Sequence, residues 1–187
     1  MKDLSLHIMD IVQNSIVAGA DKISINLNVK GDPQILILEI QDNGKGMDEE
    51  FLREVTDPFK TSRTTRNVGL GIPLLLQSAT MAGGELKIKS EPGKGTAIEA
   101  RFNINHIDRI PLGDIPETIK ILIMANPNIS WTIRFSSPND NFVLDTDELK
   151  PHLDGVSIAN SSVLGWIQNT IADGIKLVYG GVLDEVN

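Results

Sequence analysis

The chain contains no cysteine, which excludes disulfide bridges, thiolate zinc sites and a cysteine nucleophile and fits a reducing compartment. Its three histidines, His7, His106 and His152, are too scattered to form an HExxH-type metal cluster. No apolar run approaches the roughly 18 residues that span a bilayer. Met1-Lys2-Asp3 leads into a polar, amphipathic segment instead of a signal peptide. A cytoplasmic protein without a membrane partner is therefore expected. Positive charge is also in short supply: 17 Lys and Arg face 25 Asp and Glu, a net charge of -8, so a broad electrostatic footprint for nucleic acid is missing. A local basic pocket for phosphates is compatible with that balance. The composition is otherwise that of a globular protein, 41% hydrophobic and 22% charged over 187 residues, enough for one compact domain with at most a small appended one.

Hydrophobic spacing predicts the order of elements. Leu4, Ile8, Ile11 and Ser15, with Val12 and Ile16 beside them, recur at helical intervals over residues 3–18. Asp10 and Asn14 then share one face of that helix. Gly19 stops it, and Ile23, Ile25, Leu27 and Val29 alternate as a half-buried strand. A turn at Gly31-Asp32-Pro33 leads to a second strand through Ile35, Ile37 and Ile40, which ends in the loop Asp42-Asn43-Gly44-Lys45-Gly46. A short helical piece over about 48–55 precedes Lys60-Thr61-Ser62-Arg63-Thr64-Thr65-Arg66, a polar stretch without apolar period that reads as a lid. Gly69-Leu70-Gly71 opens the next helix, with Pro73 tolerated in its first turn and Gly83-Gly84 as its stop. Strands over about 85–90 and 96–104 flank the turn Glu91-Pro92-Gly93-Lys94-Gly95. This order implies an α+β protein, a two-layer α/β sandwich with helices on one face of a mixed or antiparallel sheet.

Pro111 and Gly113 interrupt the pattern and suggest a boundary near 105–113, with a nucleotide-site region at 1–105 and a small acidic α/β appendage at 106–187. From residue 106 on there are 11 acids and 5 bases, so this stretch carries -6 of the -8. It reads as a helix over about 114–125, a strand alternating at Ile129, Trp131, Ile133 and Phe135, and a turn at Pro138-Asn139-Asp140. A strand around 142–144 enters a helix through the capping box Asp145 and Glu148, and a last helix runs from Ser161 or Ser162 to about 173. The expectation is a private core for this region. The Trp131 strand and the final helix are the candidate surface for a homodimer.

Four features in one order carry chemistry: Asp10 with Asn14, Asp42-Asn43-Gly44-Lys45-Gly46, Gly69-Leu70-Gly71, and Gly93-Lys94-Gly95-Thr96. Together they describe a site for an adenine nucleotide. The Asp42 carboxylate can accept a hydrogen bond from the exocyclic amine of adenine, where guanine presents a carbonyl and meets like polarity. Gly44 and Gly46 let backbone approach the nucleotide without a Cβ in the way. Gly69 and Gly71 place backbone N–H groups at the start of a helix, where free donors and the dipole favour phosphate. There is no GxxxxGK[ST], so this cradle is not a P-loop. Asn14 offers a neutral oxygen to Mg²⁺, Asp10 is placed to act as a general base, and Lys60, Thr61, Ser62 and Arg63 can fold over the phosphates as donors.

These residues resemble the superfamily of gyrase, Hsp-type chaperones, histidine kinases and MutL (GHKL), whose nucleotide site is called the Bergerat fold, over about residues 1–104. Asp10-Ile11-Val12-Gln13-Asn14-Ser15 with Ala18-Gly19-Ala20 looks like the asparagine box in its mismatch-repair wording. Asp57-Pro58-Phe59-Lys60-Thr61, Gly69-Leu70-Gly71-Ile72 and Ser90-Glu91-Pro92-Gly93-Lys94-Gly95-Thr96 look like the histidine-kinase branch. The resemblance implies ATP and Mg²⁺ as ligands. Asn14 would hold the metal and Asp42 the adenine, with Thr96 in support. Gly44, Gly46 and Met47 would line the base and ribose, and Lys60, Thr61, Gly69, Leu70 and Gly71 the phosphates. The family usually carries Glu where this chain has Asp10, and often a charged residue where it has Val17. His7 lies inside the box helix and reads as a packing residue, and the box begins almost at Met1, so self-phosphorylation on a preceding histidine segment is not expected.

Two functions follow as expectations. In the first, the protein transfers phosphate from Mg-ATP to a separate protein, Asp10 serving as base and the acidic region docking the partner. In the second, it is an ATP-dependent switch with slow or no hydrolysis, which the shorter Asp10 and the uncharged Val17 favour. A scaffold that binds no nucleotide fits less well, because every glycine box is intact.

Overall fold

The structure, a computed structural model, describes residues 2–31, 34–56, 70–180 and 183. Helix α1 (Leu4–Val17) starts at Asp3, whose carboxylate accepts the Leu6 N–H at 3.0 Å. The Leu4 and Ser5 N–H groups donate to the carbonyls of Pro111 and Leu112, each at 2.9 Å. Donors that a first helical turn cannot satisfy internally are thus taken up by its own cap and by a segment a hundred residues away.

Strands β1 (Lys22–Lys30) and β2 (Ile35–Asp42) form an antiparallel hairpin, followed by α2 (Glu49–Thr56) and α3 (Gly71–Met81). A second hairpin, β3 (Leu86–Glu91) and β4 (Gly95–Asn103), pairs with β2 through β4. Then come α4 (Ile115–Ala125), β5 (Ser130–Ser136), β6 (Asn141–Asp145), the single turn α5 (Thr146–Leu149), a 3₁₀ turn at Lys150–Leu153 and α6 (Ser161–Tyr179). The strand order is β3-β4-β2-β1-β5-β6 in a mixed six-stranded sheet, β5 lying parallel to β1. The α+β sandwich expected from the sequence is what forms.

One row of side chains shows how the sheet is held. Ile88, Ile98, Ile40, Ile25, Ile133 and Leu144 are successive register partners across all six strands. Ile25 and Ile133 are fully excluded from solvent. They share one face with Leu27, Leu38, Phe102 and Phe135, and α1, α3 and α6 pack on that face, with α4 against α1 and α6. Each large apolar side chain buried in this way stabilises the fold by about 1.5–3 kcal/mol. The opposite face carries the row Glu99, Glu39, Asn26 and Arg134 across four strands, with Ile37, Ala97 and Val143 beside it.

Two expectations for residues 106–187 are corrected here. The region has no private core: β5 pairs with β1 along its length, and its apolar residues join the single cluster that contains Leu4, Ile8 and Ile40. Trp131 is 0% exposed and packed inside this chain, so the strand offers no homodimer surface, whereas the final helix leaves Trp166 exposed. The last helix also runs past 173, to Tyr179. Gly174 does not stop it. A Cβ there would lie 2.6 Å from the Phe142 ring, so the glycine lets α6 settle onto β6.

Candidate functional site

One row along from the apolar row, the same face of the sheet changes character. Ser90, Thr96, Asp42, Ile23 and Trp131 are successive register partners in β3, β4, β2, β1 and β5. Ile23 and Trp131 close the core, while Ser90, Thr96 and Asp42 form a polar end beside the loop that follows β2. A shallow concavity of about 220 Å³ at this end of the sheet is lined by Asp42, Ser90 and Thr96 together with Gln41, Lys89 and Ala97 of the opposite face.

Asp42 is 8% exposed, and its carboxylate is held from three sides. Oδ1 accepts the backbone N–H of Gly44 at 2.9 Å and of Thr96 at 3.2 Å, and Oδ2 accepts the Ser15 hydroxyl at 2.6 Å. A carboxylate accepts about four hydrogen bonds, so Oδ2 keeps acceptor capacity for a ligand. A charged group this well buried is costly unless its partners are in place, and here they come from α1, β4 and the glycine loop at once. Gly46, at φ +67°, is needed for a second reason: a Cβ would stand 2.1 Å from the Glu91 carbonyl oxygen. The Met47 N–H donates to Ser90 Oγ at 2.8 Å, and the half-buried Met47 side chain packs against the core.

At the other end of the site, Asp10 is exposed on α1 and Asn14, one turn on, is half-buried. Gly71 opens α3 so close to α1 that a Cβ would lie 3.0 Å from the Asp10 Cβ. Leu70, at the cap position of α3, is 63% exposed and offers no side-chain hydrogen bond to the first turn. The described start of α3 and Asp10 therefore face one another. His7, one turn before Asp10, is fully buried and hydrogen-bonds through Nε2 to Ser78 Oγ of α3 at 3.0 Å. Burial, followed by the N-terminal amine, holds its pKa below the ordinary value against the pull of Asp10 and Asp3.

The structure thus brings Asp42, Gly44 and Thr96 into direct contact, ties Gly46 and Met47 to the β3–β4 hairpin, and sets Asp10 against Gly71, with Asn14 beside Ser15 on α1. Lys60, Thr61 and Gly69, together with the expected lid, lie outside the described residues. Among the described residues, no cluster of three or more His, Cys, Asp or Glu could hold a metal ion. An Asn14 site would therefore draw most of its ligands from phosphate and water, as magnesium sites with nucleotides do.

Two site residues escaped sequence reasoning. Ser15 falls on the apolar face of α1, where a hydroxyl in a stripe of Leu4, Ile8 and Ile11 is itself the signal of a buried polar partner. Ser90 occupies an inward strand position, and only the register of β3 against β4 reveals what it faces.

The carboxylate buried at the end of a strand, the glycine loop and the helix pair α1/α3 define a nucleotide-binding α+β domain. Residues 2–106 match the family of histidine kinase-, DNA gyrase B- and HSP90-like ATPases, and the chain belongs to it. Among curated proteins it is 30% identical over 91 residues to sporulation kinase C of Bacillus subtilis, an alignment covering 49% of this chain and 21% of that protein. It is 29% identical over 106 residues to the sensor histidine kinase YxdK of the same organism, covering 54% of this chain and 33% of the relative. The chain thus spans a third or less of the length of these two relatives. Its fold resembles the N-terminal domain of a DNA repair protein, at 16% identity and a TM-score of 0.53, over 78% of this chain and 53% of that one.

Proposed function

We propose that this chain binds Mg-ATP between the Asp42 row and the α1/α3 contact and transfers the terminal phosphate to a separate protein in the cytoplasm. The observation that carries the reading is the Asp42 carboxylate, buried, fixed by Gly44, Thr96 and Ser15, and left with acceptor capacity for an exocyclic amine. Asn14 would hold Mg²⁺ through its amide oxygen, and the ion when bound supplies positive charge that neutralises the phosphates. Gly71 would offer backbone N–H to the phosphates, with Lys60, Thr61, Gly69 and Leu70 completing the cradle. Asp10, exposed and next to Gly71, would take the proton from the acceptor side chain of the partner as the phosphoryl group is transferred. Residues 106–187, which carry most of the net negative charge, would dock that partner. Family membership supports ATP binding. Among the described residues no helix is long and apolar enough to cross a membrane.

The alternative is an ATP-dependent conformational switch with slow or no hydrolysis, favoured by the short reach of Asp10. A misplacement of about 1 Å can cost on the order of a hundredfold in rate. Calorimetric titration with ATP and with GTP, each with Mg²⁺, tests the shared part: saturable, adenine-selective binding is expected, weakened in Asp42→Asn by about 1.5–3 kcal/mol, the scale of a hydrogen bond to a charged group. No binding at millimolar ATP would remove both readings. Asp10→Asn then separates them. Loss of phosphate transfer to a co-purifying protein, with ATP affinity nearly intact, supports transfer, whereas the absence of transfer in wild type as well favours the switch.

A further inference from the structure

The described sheet has two free edges, and they differ. β3 closes it on one side and β6 on the other, each paired with a single neighbour, β4 and β5. A free strand edge presents a row of backbone N–H and C=O groups to which another strand can add, and lysines on the edge are a common guard against that. β3 carries Lys87 and Lys89, both exposed. β6, with the sequence Asn141-Phe142-Val143-Leu144-Asp145, carries neither a cation nor a proline. Phe142 and Leu144 point to the helix side of the sheet, where Phe142 stacks on Phe135 with ring centroids 5.4 Å apart. Val143 stands 54% exposed on the open side, between Asn141 and Asp145.

This strand is complementary to itself. When two copies of β6 pair antiparallel about a two-fold axis at Val143, Val143 meets its own mate, Phe142 meets Leu144 of the other copy, and Asn141 meets Asp145. Apolar side chains then stand opposite apolar ones, and an amide stands opposite each carboxylate, so no like charges face one another across the pair. Asp145 has acceptor capacity left for the amide: its oxygens take one hydrogen bond each, from Thr132 Oγ1 at 2.9 Å and from the Asp147 N–H at 2.8 Å. Five strand residues alone make a small interface, and α6 extends it. Gly174 of α6 faces the Phe142 ring, and Gln168 bonds to Lys120 and Glu117 of α4. On the helical period, Trp166 and Leu177 fall about 60–80° round from Gly174, on the side away from Gln168 and hence outward past β6. Trp166 is 52% exposed and Leu177 61%. The same axis sets the two copies of α6 antiparallel, with Trp166 and Leu177 at the joint. Asp173 and Lys176, exposed next to them, bring one charge of each sign per copy, so the helical part of the joint is neutral.

We infer that the chain forms a two-fold homodimer through β6 and the outer side of α6, its two sheets joined edge to edge. The match of the edge to its own reverse, at Asn141 and Asp145 as well as at the apolar positions, is what singles out a second copy as the occupant. The candidate nucleotide site lies on β2, β3 and β4 and on α1 and α3, so both copies keep theirs open, and the dimer does not depend on what that site binds.

Sedimentation velocity on the full chain should show a species of twice the chain mass whose share falls on dilution. Asn141→Asp, which sets carboxylate against carboxylate, should raise the dissociation constant by about two- to thirtyfold, because the axis spoils two cross-strand pairs at once. Asn141→Lys, opposite Asp145 of the other copy, should lower it. Position 141 is exposed, so both variants keep the fold of the single chain. A non-specific apolar contact through Trp166 would not respond to the two variants with opposite signs. The chain has no cysteine, which makes cross-linking unambiguous. Cα atoms of opposed residues in an antiparallel pair are about 4.5–5.5 Å apart, within disulfide reach. Val143→Cys should therefore give a covalent dimer under mild oxidation, and Lys87→Cys, on the other edge, should not. A chain that stays monomeric at millimolar concentration would leave β6 to a strand of another protein and overturn the inference. A dimer that cross-links through Lys87→Cys instead, or whose dissociation constant ignores both Asn141 variants, would overturn it as well.

Discussion

At the scale of residues, the site is arranged by small polar side chains around one carboxylate. Ser15 supplies Asp42 with a hydrogen bond from α1, so the helix that carries Asp10 and Asn14 is locked to the strand that carries Asp42. His7 makes the corresponding lock between α1 and α3, donating to or accepting from Ser78. Among the described residues its Nδ1 has no partner. A buried imidazole whose pKa lies below the ordinary value of about 6.5 favours folding while neutral. Its contribution is fully present above that pH and is lost as the pH falls from there toward the folded-state value, because the unfolded chain takes up the proton first. Urea unfolding measured between pH 7.5 and pH 5 should therefore show a midpoint that falls more steeply in wild type than in His7→Gln, which does not titrate. The difference in slope is at most about 1.4 kcal/mol per pH unit for one proton. Parallel slopes would mean that His7 is protonated equally easily in both states.

Among the elements, the start of α1 depends on a segment remote in sequence. Ser5 Oγ donates to Asp3 Oδ1 at 2.7 Å, and the carbonyls of Pro111 and Leu112 take up the first two helical N–H groups. Gly113 follows at φ +71°, where a Cβ would stand 2.5 Å from the Asp3 carboxyl and 2.6 Å from Ser5 Oγ. Gly155 is a natural comparison, since it also has positive φ, +84°, but nothing within 4 Å of its Cβ position. Gly113→Ala should destabilise more than Gly155→Ala in urea unfolding, the first by on the order of 1–3 kcal/mol and the second by backbone strain alone, near the lower end of that range. Equal losses would show that the α1 cap yields easily. Just before this segment, the buried Arg109 guanidinium donates to the carbonyls of Ile104 at 3.0 Å, Ile110 at 3.3 Å and Leu183 at 3.4 Å. Burial lowers its pKa. The stretch that reads in the sequence as a boundary is therefore a clasp, joining the end of β4, the start of α1 and Leu183, beyond α6.

For the whole molecule, the parallel pairing of β1 with β5 makes the sheet continuous, and one apolar cluster runs from Leu4 and Ile8 to Ile171 and Tyr179. Tyr179 fastens α6 to the sheet by donating its hydroxyl to the Leu27 carbonyl, and burial pushes its pKa up. Both tryptophans, Trp131 and Trp166, lie beyond residue 105, so their fluorescence reports on that part of the chain while far-UV circular dichroism reports on all of it. The two signals should change at the same urea concentration, because a core shared across β1 and β5 unfolds as one unit. Separate transitions would place a cooperative break between those strands.

The sequence alone determined the order and kind of the elements through β4, because alternation at Ile23 to Val29 and helical spacing at Leu4 to Ile16 are local properties of the chain. It also marked Asp42, Gly44, Gly46, Gly71 and Thr96 as members of one site, because a strand end followed by glycine is a local signal and the resemblance to a known family orders the pieces. Tertiary structure decided what local spacing cannot encode. That β5 extends the first sheet, leaving no private core, depends on β1 having a free edge of matching apolar register. That Ser15 and Ser90 belong to the site depends on which residue stands opposite each one. The last helix reads as ending near 173 until Phe142 is found against Gly174, and Gly113 as part of a boundary until its place beside Asp3 is seen. Spacing along a chain fixes which face a residue takes, whereas the neighbour across that face, and hence the direction of each hydrogen bond around Asp42, is set only when the strands pair and the helices close over them.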